Sequence, residues 1–227
     1  MKYSDNVFSR GDISLNYRVY TPEKTADPPL LVYLHGAGER GDTPDKLDHL
    51  LRHGIPKLIN EGRRLPAVVL CPQCPTNAVW DNIVFAVKAL IDTVAKEYGI
   101  LSDRILLTGS SMGGYGSFAL ALAHPTLFAA IAPISGGNMS WRASNLKTTP
   151  VYAVHGACDT LVPPVCSQLM VDAVNATGGN AELLLLDGMG HNDAIDYAYR
   201  QTDVIEWLLS KRRTDFSPVP EFCNECF

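Results

Sequence analysis

Ser111 stands in Gly109-Ser110-Ser111-Met112-Gly113, a Gly-x-Ser-x-Gly pattern between an apolar run that begins at Ile105 and the apolar segment Phe118-Ala119-Leu120-Ala121-Leu122-Ala123. Strand, sharp turn and helix are what a nucleophilic serine needs, because the turn exposes the hydroxyl and flanking glycines keep Cβ atoms clear of it. Without partners, the same pattern is a glycine-rich turn that lets a helix pack closely on a sheet. A nucleophile also needs a base, and the base needs an acid to orient it.

If the chain order is nucleophile, acid, histidine, the base follows by elimination. Of six histidines, His35, His49 and His53 precede Ser111, His124 stands on the helix after it, and His155 has no acidic residue between itself and the serine. His191 remains, in the glycine-flanked loop Gly188-Met189-Gly190-His191-Asn192-Asp193, from which an imidazole can swing to the serine. Four acids lie between Ser111 and His191. Asp172 falls on a helical face and Glu182 at the wrong end of a strand. Asp159, in Cys158-Asp159-Thr160-Leu161-Val162-Pro163 at a strand's carboxyl end, is the expected acid, with Asp187 in reserve.

His35-Gly36-Ala37-Gly38-Glu39-Arg40-Gly41-Asp42 follows another apolar run. Gly36, Gly38 and Gly41 satisfy Gly-x-Gly-x-x-Gly, but a dinucleotide site needs an apolar helix opening on those glycines, whereas Glu39-Arg40 interrupts and Asp42-Thr43-Pro44 prolongs the loop. The better reading is an oxyanion loop. Its small residues let the Ala37 amide face a substrate carbonyl, joined by the amide of Met112 behind the nucleophile. Trp80 and Trp141, each in a loop after a strand's carboxyl end, are candidates to line the cleft, against a packing role. Arg40 and Glu39 either meet a polar substrate group or brace the loop as an ion pair.

These residues need a frame that brings strand ends together. Alternating apolar positions in Ile13-Ser14-Leu15-Asn16-Tyr17-Arg18-Val19-Tyr20, with Gly11-Asp12 as a turn, predict an N-terminal antiparallel hairpin. Continuous apolar runs at 30–34, 67–70, 105–107, 129–134, 151–154 and 183–186 suit strands buried on both faces, and helical patterns at 81–98, 113–124, 164–176 and 194–209 lie between them. The alternation predicts an α/β fold with a mostly parallel central sheet and helices on both faces, whose ligands collect at the carboxyl ends of the strands. Residues 1–210 are expected to form one domain without a lid, and the proline-punctuated residues 211–227 a loosely held tail.

Composition narrows the partners. The formal charge of −5 with scattered Lys and Arg gives no basic stripe for nucleic acid. No window approaches the roughly 18 apolar residues of a membrane span, and the start lacks the apolar core of a signal peptide, so a cytoplasmic protein acting on small molecules is expected. Six cysteines are then expected as reduced thiols. Cys71-Pro-Gln-Cys74 and Cys223-Asn-Glu-Cys226 have the look of a four-thiolate zinc site, but most of the domain separates them, and free thiols are preferred. No metal or organic cofactor is expected. Asn138-Met-Ser140 and Asn175-Ala-Thr177 match the glycosylation sequon, which carries no weight without secretion.

In LVYLHGAGERGD, CPQCP followed by Trp80, GSSMGGYG, HGACDTLVP and GMGHNDAIDYAY, the chain resembles an α/β-hydrolase. More narrowly it is similar to the small lidless esterase branch of phospholipase/carboxylesterases and predicted peptidases related to the prolyl oligopeptidase catalytic domain. The resemblance spans residues 30–209. It implies Ser111, Asp159 and His191 as triad and Ala37 and Met112 as oxyanion donors, the residues that elimination also selects. No counterpart of the propeller or long N-terminal domain of the peptidase relatives is expected. The expected activity is hydrolysis of carboxylic esters of small substrates through an acyl-enzyme, with a peptidase, an acyl thioesterase or a noncatalytic binding module as alternatives.

Overall fold

The run Leu30-Leu31-Val32-Tyr33-Leu34 forms β3 (Leu30–Leu34), and every residue in it is buried. Because side chains alternate across a strand, Leu30, Val32 and Leu34 enter one apolar cluster, while Leu31 and Tyr33 enter another on the opposite face. The same complete burial holds for β4 (Val68–Pro72), β5 (Ile105–Ser110) and β6 (Ala130–Ile134). β7 (Val151–Gly156) and β8 (Ala181–Leu186) follow. In this computed structural model, which describes residues 1–23, 25–217 and 219, all these strands and the hairpin β1 (Lys2–Arg10) and β2 (Ile13–Thr21) form one sheet.

The strand order is β1-β2-β4-β3-β5-β6-β7-β8. β2 runs antiparallel to β1 and to β4, and every other pairing is parallel. The expected hairpin and mostly parallel sheet are therefore present. One face is covered by α2 (Val84–Glu97), α3 (Met112–Ala123) and α4 (Val165–Ala176), which bury Leu90, Phe118 and Met170. The other is covered by α1 (Gly54–Asn60), α5 (His191–Gln201) and α6 (Val204–Leu209), which bury Ile55, Tyr199 and Leu208.

Three departures from the sequence reading have physical reasons. The leucine run of β8 is an edge strand rather than a doubly buried one, and Leu185 is 43% exposed. Residues 44–60 hold a 3₁₀ stretch (Pro44–Arg52) and α1, which bury Leu47, Leu50, Ile55, Leu58 and Ile59. The expected helix over 194–209 begins earlier, at His191, and breaks where Thr202 takes an extended backbone between α5 and α6.

Residues 211–213, expected to open a loose tail, are instead tied to the body. Arg213, 3% exposed, donates through its guanidinium to Phe128 O at 2.7 Å, Thr149 Oγ1 at 2.9 Å and Thr148 Oγ1 at 2.7 Å. Its amide donates to Asp103 O, and Lys211 lies over the Trp207 ring. Arg213→Ala leaves these acceptors without their donor, and urea unfolding is expected to show a loss of about 1–3 kcal/mol. Arg212→Ala removes a more exposed pairing with Asp103 and is expected to change stability by about 0.5 kcal/mol or less.

Candidate active site

β5 ends at Ser110 and α3 starts at Met112, so Ser111 alone makes the turn. It does so at φ 56° and ψ −120°, a conformation that costs a non-glycine residue about 1–3 kcal/mol and persists only where the surroundings enforce it. The enforcement is close packing. A Cβ on Gly113 would lie 1.9 Å from Leu34 O, and one on Gly109 would lie 2.4 Å from Gly113 O. The Ser111 amide donates to Ile134 O at 2.9 Å, fixing the turn to the end of β6.

Neighbouring strand ends deliver the partners. The loop after β7 carries Asp159, and the loop after β8 leads into α5, whose first residue is His191. His191 Nε2 lies 2.9 Å from Ser111 Oγ, and His191 Nδ1 lies 2.6 Å from Asp159 Oδ2. Asp159 Oδ1 accepts the amides of Leu161 at 3.0 Å and Val162 at 2.9 Å. The carboxylate accepts a hydrogen bond from Nδ1–H, which leaves Nε2 as acceptor for the serine hydroxyl. The structure thus brings Ser111, His191 and Asp159 into one hydrogen-bonded line, and the reserve acid Asp187 stays exposed. His191 belongs to a helix start rather than the swinging loop expected from the sequence.

Burial pushes the Asp159 carboxyl up, but hydrogen bonds from His191 and from the Val162 and Leu161 amides outweigh it and hold the group below the usual carboxylate range. His155, passed over by the order rule, stands behind Asp159. Its Nε2 is 3.4 Å from Asp159 Oδ2 and donates to Val162 O at 2.9 Å. Burial pulls the His155 imidazole toward its neutral form. The sequence signal for it was its place four residues before Asp159, at the end of β7.

The loop after β3 supplies the other wall. Gly36 is extended and Ala37 opens a 3₁₀ turn (Ala37–Glu39), so its amide lies in a first turn without an intrahelical acceptor, as does that of Met112 at the start of α3. Gly36, Ala37, Glu39, Ser111, Leu161 and His191 line one cleft of about 220 Å³. A second hollow of about 310 Å³, lined by Asp81, Tyr115, Asn138, Met139, Cys166 and Leu169, opens one turn farther along α3. A larger concavity of about 760 Å³ touches Ile105 at the opposite end of β5 and shares no residue with the Ser111 cleft.

The expected substrate contacts are corrected. Trp80 is buried; its Nε1 donates to His35 O at 2.9 Å and its ring packs edge-on to the His35 ring. Trp141 is 63% exposed and is not part of the Ser111 cleft. Arg40 donates to the carbonyls of Ala37, Thr76 and Ala78, bracing the loop through backbone rather than through Glu39. Glu39 is buried at the cleft wall, and that burial raises its carboxyl.

Cys71, Cys74, Cys158 and Cys166 are free, and burial pushes the Cys74 thiol up to about 12. Cys223 and Cys226 lie outside the described residues. Among the described residues, no group of three or more His, Cys, Asp and Glu side chains is arranged to hold a metal, and no helix is long and apolar enough to cross a membrane.

A family model described as phospholipase/carboxylesterase matches residues 70–198. A bifunctional acetylxylan esterase/xylanase of Neocallimastix patriciarum is 31% identical over 150 residues, 63% of this chain and 21% of that protein. The chain therefore spans well under two thirds of that relative's length. Acyl-protein thioesterase 1 of Neurospora crassa is 26% identical, across 82% of this chain and 91% of its own. Among solved structures, a thermostable esterase superposes with a TM-score of 0.79 at 27% identity, covering 93% of this chain and 63% of that one. A feruloyl esterase module from Clostridium thermocellum shares the fold, with a TM-score of 0.69 at 17% identity over 92% and 88% of the two chains. Sheet order and superposition make this the α/β-hydrolase fold.

The depressed Asp159 carboxyl has a stability consequence with a definite sign. A group whose folded pKa lies below its unfolded value stabilises the fold above the unfolded value, about 3.9, and loses that contribution as pH falls through the folded one. Denaturant unfolding measured from pH 6 downward is expected to show a shallower acid loss in Asp159→Asn than in the wild type.

Proposed function

The chain belongs to the phospholipase/carboxylesterase family, and from that premise we propose that it is a serine hydrolase in which Ser111, His191 and Asp159 cleave carboxylic esters. One observation carries the reading: a single hydrogen-bonded line from Ser111 Oγ through both His191 nitrogens to a buried carboxylate. His191 Nε2 takes the hydroxyl proton as Oγ bonds the ester carbon, while Asp159 holds the tautomer and stabilises the imidazolium. The amides of Ala37 and Met112 stabilise the oxyanion, each by about 3 kcal/mol. Collapse breaks the bond to the leaving oxygen, which receives the proton from His191. Water, deprotonated by His191, then releases the acid and restores Ser111.

Short acyl esters of small alcohols or phenols are the proposed substrates. A cleft of about 220 Å³ against Ser111 suits a small acyl group, and the hollow at Tyr115, one turn along α3, offers Tyr115, Asn138 and Asp81 to a polar leaving alcohol. Similarity to an acetylxylan esterase supports the ester, and similarity to an acyl-protein thioesterase over most of both chains supports a thioester as second choice. The peptidase alternative has structural neighbours at 14% and 12% identity, which carry the fold alone. A noncatalytic module would have no use for a strained serine in register with a base and an acid. A cytoplasmic setting and a small-molecule partner belong to the same reading.

Ser111→Ala is expected to lower p-nitrophenyl acetate turnover by about 10⁴-fold or more and to abolish labelling by a fluorophosphonate probe. Turnover at the wild-type rate would overturn the assignment. Acetyl esters, short acyl thioesters and peptides, run on wild type beside Ser111→Ala, are expected to rank in that order of kcat/KM.

A further inference from the structure

His35 is fully buried at the end of β3, yet the chemistry above does not use its ring. Its hydrogen bonds leave one protonation state. The Cys74 amide donates to His35 Nε2 at 2.9 Å, so Nε2 carries a lone pair. His35 Nδ1 lies 2.6 Å from Gly36 O, and a carbonyl only accepts, so Nδ1 carries the proton. The ring is neutral, with Nδ1–H aimed at the following residue's own carbonyl. Burial works the same way, lowering the imidazole to about 4.

The Gly36 carbonyl and the Ala37 amide belong to one peptide plane. The described residues contain no cis peptide bond, so C=O and N–H of that plane point in opposite directions. Fixing Gly36 O toward His35 therefore fixes Ala37 N–H away from it. Residue 36 is where such a lock is needed. A Cβ there would come 3.0 Å from Glu39 Oε2, closer than ordinary contact, and 3.5 Å from Ser111 Cβ, so the position favours glycine. Glycine, however, lets its peptide plane rotate at little cost. The other hold on Gly36 O is the Glu39 amide, at 3.4 Å.

We infer that His35 is a positioning residue of the oxyanion site: its Nδ1–H holds the Gly36 carbonyl and so orients the Ala37 amide toward the reacting carbonyl. The imidazole is itself held by the Cys74 amide, from the chain just after β4, and by the Trp80 ring, whose centroid is 5.0 Å away. The inference rests on Ala37 being an oxyanion donor, as proposed above.

Two substitutions separate orientation from mere filling. The amide of His35→Gln reaches the place of Nε2, where it accepts the Cys74 amide but cannot serve Gly36 O. The amide of His35→Asn stands near Nδ1 and restores a donor to Gly36 O while abandoning Cys74. With p-nitrophenyl acetate, His35→Gln is expected to lower kcat by about 10- to 100-fold with KM within about twofold, and His35→Asn to recover kcat to within about fivefold of wild type. Folding of both is checked by circular dichroism. Wild-type kcat in folded His35→Gln, or no recovery in folded His35→Asn, overturns the inference. A second measurement needs no variant: ¹⁵N–¹H spectra of the wild type at pH 7 are expected to show the His35 proton on Nδ1, and a proton on Nε2 overturns the inference. If Ser111→Ala keeps its turnover, the proposed reaction itself fails. If Ser111→Ala is inactive while His35→Gln is unimpaired, only the role of His35 fails.

Discussion

Helix α3 lies so close to the end of β3 that position 113 has no room for a side chain against Leu34 O. The rest of the site depends on that approach. It forces the chain from β5 into α3 through a single residue, and that residue is Ser111 at positive φ. It sets the Met112 amide at the helix start, beside the loop that carries Ala37. A helix one methyl group farther away would relax the turn and separate the two amides from the serine. The strain of about 1–3 kcal/mol at Ser111 is small against the large apolar clusters on either face of the sheet, which hold both elements in place.

Around this turn the polar groups sort by what burial does to each. Burial alone would neutralise Asp159, but two amides and an imidazole reverse the outcome and keep an anion behind His191. Burial of His155 and His35 outweighs the hydrogen bonds that favour their charged forms and lowers both imidazoles, which serve as hydrogen-bonding props. Glu39 is the contrary case, an acid at the cleft wall whose carboxyl burial raises. The Asp159 anion lies at the far end of the relay from the serine, where it favours an imidazolium.

The strands and the relay were legible because their signals are local and ordered. β5, β7 and β8 each contain a short apolar run, and Ser111, Asp159 and His191, the proposed nucleophile, acid and base, follow them at their carboxyl ends. What escaped depends on distance in space. Trp80 follows a strand as a cleft residue would, but the side-chain-free Gly116 opposite it opens a slot in the core. Arg40 beside Glu39 reads as an ion pair, yet three backbone carbonyls from two loops claim the guanidinium. Four successive leucines in β8 read as an interior strand, and only the sheet order makes them an edge. Residues 44–60 carried a usable signal in the spacing of Leu47, Leu50, Ile55, Leu58 and Ile59, but Pro44 and Gly54 masked it as loop.

Trp80 bridges the two halves of the site, with its indole N–H on the His35 carbonyl and its ring over Gly116 of α3. It is also the buried member of three tryptophans, since Trp141 is exposed and Trp207 partly so. Its emission therefore stands apart in colour from the two wetter indoles. A change in the distance between loop and helix shifts the polarity and the imidazole contact that this fluorophore senses. The enzyme carries an optical gauge of its own active-site geometry, readable without any label.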